Sequence, residues 1–127
     1  MLIKTPVSLG ELVDKISILI VKQRNIADKE KLIQVNKELD FLQIILSKHV
    51  SDLEIKNYLN DLILINSKLW LIEDDIRECE RKKLFDQKFI ELARSVYFTN
   101  DERARLKLNI NKDFGSEIVE VKSYEDY

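Results

Sequence analysis

Glu73, Asp74, Asp75 and Glu78 crowd one short stretch of the chain, and Asp74-Asp75-x-x-Glu78 sets two carboxylates one helical turn apart. Magnesium takes oxygen ligands in near-octahedral geometry, so a carboxylate pair at this spacing is half of a metal cage. Further along, Arg94, Tyr97, Asp101 and Arg105 follow one another at intervals of three, four and four, with Asn100 and Arg103 beside them. On a continuous helix they share a face, where two guanidiniums can hold a carboxylate or phosphate. The single His49 has no second histidine to form a metal pair, and Cys79 falls among apolar positions as a small buried hydrophobe. Glycine-rich phosphate loops, a nucleophile elbow and Cys/His metal spacings are all missing.

Each constellation also has a purely structural reading. The acidic spacing resembles the first metal motif of the all-α nucleotide pyrophosphohydrolases, which add an Asp three residues after a Glu on a following helix. None of Glu80, Glu91 and Glu102 is followed by one. Without that second half, Glu73 with Arg77 and Glu78 with Lys82 make a solvated helix face laced by ion pairs. Likewise Arg94 and Arg105 can pair with Glu11, Asp14 or Asp101 and lock the terminal segments onto the first helix.

The elements that carry these residues are helices. Pro6 makes the start extended, and Ser8 with Glu11 is a capping box that opens a first helix, apolar on more than one side and therefore central. Asp28 caps a second helix to about His49, in which Leu32, Val35, Leu39, Leu42 and Leu46 recur with the 3.5-residue period of a coiled-coil seam. Ser51 with Glu54 opens a third, and Ile55, Tyr58, Leu62, Ile65, Leu69, Ile72, Ile76 and Cys79 continue the alternation. Two seams joined by a tight turn predict an antiparallel hairpin with Leu39 near Leu62. The third helix would run roughly 50 Å, longer than a compact globule of about 36 Å, and its second stripe, Leu59, Ile63 and Trp70, needs other cover.

Asp86 caps a fourth helix through Phe98, and Thr99 with Glu102 predicts a new capping box and a bend. Gly115 suits a left-handed helix end, and Glu117 to Tyr124 alternates like a strand, which could pair with Leu2 to Thr5 as a short two-stranded ribbon. The expectation is an all-α chain, residues 1–127 as a single helical domain: a long antiparallel helical hairpin with additional N- and C-terminal helices.

Composition narrows the function classes. With 21 basic and 23 acidic residues interspersed to a net charge of -2, no basic stripe exists to meet a nucleic acid. The longest apolar run, Ile16 to Val21, is broken by Ser17, far short of the ~20 residues that span a membrane. One cysteine and a start without a signal-peptide pattern point to the cytoplasm.

Four blocks resemble a family of short bacterial and phage proteins of unknown function: Pro6-Val7-Ser8-Leu9-Gly10-Glu11-Leu12 with Asp14-Lys15, Trp70 to Arg77, Glu91 to Tyr97 with Thr99-Asn100-Asp101, and Gly115 to Glu120 with Lys122-Ser123-Tyr124. The resemblance covers essentially the whole chain. It implies a frequent setting near genes for surface-polysaccharide synthesis and carries no activity. Two readings follow. The preferred one is a helical scaffold or protein-interaction module, homodimeric, with no cofactor, no nucleic acid and no membrane, that uses the exposed second stripe Leu59, Ile63 and Trp70 and the patch Arg94, Tyr97, Asn100, Asp101, Arg105, Glu11 and Asp14. The alternative is an anion-binding protein or a small-ligand or nucleotide-phosphate enzyme, with Mg²⁺ on Asp74, Asp75 and Glu78. An enzymatic role is left open and disfavoured.

Overall fold

A computed structural model describes all 127 residues. Four helices follow one another without any strand: α1 (Leu9–Asn25), α2 (Lys29–Ser47), α3 (Asp52–Lys82) and α4 (Gln87–Asp113). Each starts where a side chain accepts from amides that the first helical turn leaves unpaired. Ser8 takes the amide of Glu11, Asp28 those of Glu30 and Lys31, Ser51 that of Glu54, and Asp86 that of Phe89. The stops are equally local. Lys83 ends α3 in the left-handed region at φ 53°, and Gly115 does so after α4 at φ 65°, which lets the Ser116 amide reach back to the Asn111 carbonyl at 2.8 Å.

The central position of α1 follows from its composition. Leu12, Val13, Ile16, Leu19 and Val21 are all buried, and α1 packs against each of the other three helices. The inner core joins α1 to Val35, Leu39 and Leu46 of α2, Ile55, Leu62 and Ile65 of α3, and Ile110 of α4. Every position of the α3 seam from Ile55 to Cys79 is buried or half-buried. The second stripe of α3 is largely covered within the chain, with Ile63 buried and Leu59 and Trp70 half-buried, so it is not the exposed contact surface expected of it.

A long antiparallel hairpin is present, but α3 and α4 form it, not α2 and α3 as the heptad seams predict. Two helices of 31 and 27 residues, joined by the four residues Lys83–Asp86, lie side by side for most of their length. The backbones of α2 and α3 stand farther apart. Leu39 and Leu62 still belong to the same core, and a groove between the two helices is lined by Ile44, Leu46, Leu53, Ile55 and, from α1, Ile16.

Two further expectations are corrected. There is no bend at Thr99, because α4 runs through it and buries it at 2% exposure. A capping signal is local, and the helix formers from Glu102 to Lys107, together with an inward row of Thr99, Lys107, Ile110 and Asn111, propagate the helix past it. There is also no ribbon: residues 1–7 and 117–127 form no strand and no backbone pairing with each other. An isolated two-stranded pair gains too little to compete with side-chain docking onto the helices.

Candidate functional site

Asp14 lies in the middle of the central helix with no exposed surface, which is costly for a carboxylate unless it is fully paired. The pairing is complete. Arg103 of α4 donates from Nε at 2.9 Å and from Nη2 at 2.5 Å, one bond to each carboxylate oxygen. Asn66 of α3 donates to the same carboxylate at 3.0 Å and to Ser17 Oγ at 2.7 Å, while the Ser17 hydroxyl donates to the Asp14 carbonyl at 2.6 Å. The bond to Asp14 raises the Arg103 pKa above its ordinary value. One carboxylate thus fixes the rotation of three helices against each other.

One turn towards the N-terminus of α1 the pattern repeats with opposite connectivity. The Lys107 ammonium, 8% exposed, sits between Glu11 and Glu120 at 2.7 Å from each. Burial alone would lower the Lys107 pKa, and the hydrogen bonds to Glu11 and Glu120 outweigh it, so the value is raised. Glu120, held by Lys107 and Lys122, is pulled down from 4.5 to about 2. Gly10 closes the contact. Its amide donates to Asn111 Oδ1 at 2.7 Å, and a Cβ there would stand 2.4 Å from the Lys107 carbonyl oxygen. The α1 and α4 backbones touch because Gly10 has no side chain.

No buried side-chain nitrogen or oxygen in this knot lacks a partner. Asp14 and Glu11 are each tied to a cation of α4, which holds α1 and α4 together. The cations that grip Asp14 and Glu11 are Arg103 and Lys107, not Arg94 and Arg105, which pair with neither. Arg103, Lys107 and Asn111 sit at successive steps of four on the inward face of α4, whereas Arg94 and Arg105 point off it and are exposed.

The remaining patch residues meet the C-terminal segment. Asp101 accepts from the Tyr127 hydroxyl, which pushes the Tyr127 pKa up to about 12. The Tyr127 ring packs on Tyr97 and Phe98 at 5.2 and 4.9 Å between centroids, and the Arg94 guanidinium lies 5.8 Å from the centre of Phe98. Between α4 and this segment runs an open groove of about 1330 Å³, lined among others by Tyr97, Asn100, Asp101, Arg105, Tyr124 and Tyr127. Five of the candidate residues thus belong to one face, and Glu11 and Asp14 to the knot behind it.

Residues 3–127 match the model of a family of unknown function, DUF6165. The chain belongs to this family. No curated protein and no solved structure matches it. No helix of this family member is long and apolar enough to cross a membrane.

The acidic cluster on α3 is spread along a solvent face. Glu73 pairs with Arg77, and Glu78 with Arg81 and Lys82, whose bonds lower the Glu78 pKa. Asp74 and Asp75 are exposed, and no three His, Cys, Asp or Glu side chains converge on a common point. His49 is exposed just beyond α2, and Cys79 is buried as a free thiol. Sequence reasoning missed Asn66, Lys107, Asn111 and Glu120. The available signal was complementarity: Gly10, Glu11 and Asp14 on one helix answer Asn111, Lys107 and Arg103 on another.

Proposed function

We propose that this DUF6165 member is a homodimeric helical scaffold, a single cytoplasmic domain that offers the α4 face to a partner protein and carries out no chemistry of its own. The observation that supports it best is on α2. One side of that helix lies in the core, and the other still presents Ile33, Phe41, Ile44 and Ile45 at 43% to 64% exposure. Large apolar side chains gathered on one exposed helix face, here with Lys37 and Asp40 among them, favour an interaction surface. A two-fold pair of identical chains is its commonest cover. The α4 face, with Arg94, Tyr97, Phe98 and Arg105, has the aromatic and arginine composition that interfaces favour.

Sedimentation equilibrium at micromolar concentration tests the assembly. The reading expects twice the 15.0 kDa chain mass, and a single species at 15.0 kDa would overturn it. A second reading, anion binding by Arg94 and Arg105, is favoured by one fact: neither guanidinium has a carboxylate partner within the chain. Thermal melts with phosphate and nucleotides test it, because a ligand that binds only the folded state raises Tm.

A further inference from the structure

The outward side of α2 carries a second seam of its own. Ile33, Lys37, Asp40 and Ile44 follow one another at intervals of four, three and four, the same 3.5-residue period as the buried seam. On the helical wheel this row lies nearly opposite Val35, Leu39 and Leu46, the buried residues of α2. Ile33 and Ile44 are 64% and 58% exposed. Lys37 and Asp40 are exposed too, and neither is in an ion pair within the chain, although the neighbouring Glu38 is held by Lys15. The row is apolar at both ends, charged in the middle, and unpartnered.

Such a row is complementary to itself when reversed. If two copies of α2 run antiparallel so that facing residue numbers sum to 77, Ile33 meets Ile44 and Lys37 meets Asp40, and the two-fold axis makes each contact occur twice. A slide of one heptad in one direction sets Ile33 against Lys37 and Asp40 against Glu30. A slide in the other sets Ile44 against Asp40. Both alternatives lose the ion pairs and place charges on isoleucines, so the central Lys and Asp select one register, as polar residues inside helical seams do. Phe41 and Ile45 flank the row, and Leu53, 86% exposed, shares the groove rim with Ile44. A specific interface needs about 1,000 Å² over both copies, which the row would have to supply together with these flanking side chains.

We infer that the second copy docks on this face: α2 pairs antiparallel with α2 of its twin through Ile33 on Ile44 and Lys37 on Asp40. The inference rests on the homodimer reading above and adds its surface and register.

Charge exchange tests it by sedimentation equilibrium, with urea melts to confirm that each variant folds; both positions are exposed, so folding should be retained. Lys37→Asp sets a new carboxylate against Asp40 of the twin, and Asp40→Lys sets a new ammonium against its Lys37. Each clash occurs twice, so each variant alone should dimerise at least about tenfold more weakly than wild type. An equimolar mixture of the two variants should form a heterodimer of wild-type affinity, since its four charges again pair as opposites. The double variant should self-associate like wild type. A wild-type dimer whose affinity is unchanged in both single variants would overturn this surface and leave the homodimer standing. Single variants that weaken without rescue in the mixture would overturn the register. A monomeric wild type would overturn the homodimer reading and this inference with it.

Discussion

Replacing Gly10 with alanine adds one methyl group at the closest approach of α1 and α4. The new Cβ would meet the Lys107 carbonyl oxygen at 2.4 Å, its carbon at 3.1 Å and Asn111 Oδ1 at 2.9 Å. Two of these neighbours are backbone and cannot rotate away, so the helices must part by about 1 Å to restore ordinary contact. That movement stretches the 2.7 Å bond from the Gly10 amide to Asn111, a loss of about 1 kcal/mol, and adds overpacking strain of about 1–3 kcal/mol. Against this stands the helix propensity of alanine over glycine, at most about 1 kcal/mol and smaller in a first turn. The expected net effect of Gly10→Ala is a destabilisation of about 2 kcal/mol, read as a lower urea midpoint at unchanged slope. A variant as stable as wild type, or more so, would refute the contact between the two backbones.

Leu62 has no exposed surface and sits in the common core, so Leu62→Ala should cost about 2–5 kcal/mol in urea melts, and a loss below about 0.5 kcal/mol would contradict that position. Asp74→Asn with Glu78→Gln removes only surface charge, so stability should change by less than about 1 kcal/mol and the response of Tm to millimolar Mg²⁺ should not change. A Mg²⁺-induced rise in Tm that this double variant abolishes would favour the metal-enzyme alternative. Glu120 has its pKa depressed from 4.5 to about 2 in the docked segment, so its anchoring of the segment is complete above 4.5 and is lost as pH falls towards 2. A carboxyl ¹³C NMR titration should place the Glu120 midpoint near 2 and return it towards 4.5 in Lys107→Met; a wild-type midpoint near 4.5 would show that the ion pair is absent.

Much of the fold was legible because its signals are local or periodic. The hydroxyls of Ser8 and Ser51 and the carboxylate of Asp28 cap helices where the sequence places them, and the Ile55 to Cys79 row faces inward throughout. Thr99 shows the limit of a local signal. The same Thr-x-x-Glu pattern reads as a start, yet its threonine is buried within a longer helix that packing sustains. The choice of α4 over α2 as the closest partner of α3 was not legible either, since both supply apolar rows. Asp14 chooses Arg103 over Arg105 because Arg103 lies in phase with Thr99 and Lys107 on the inward side of α4. That phase depends on how α4 is rotated against α1, which spacing along one helix does not determine. For the candidate site, the sequence found the exposed half, from Arg94 to Arg105, and missed the C-terminal segment that folds over it through Glu120 and Tyr127.

Amide hydrogen exchange of the intact chain, compared at low and high micromolar concentration, tests the homodimer reading at the level of individual helices. Concentration should raise protection in peptides from α2 that contain Ile33 to Ile45, while the α1 and α4 peptides around Asp14 and Arg103 exchange at the same rate in both samples. Exchange that is independent of concentration everywhere, or protection gained on α4 around Tyr97 instead, would contradict the account.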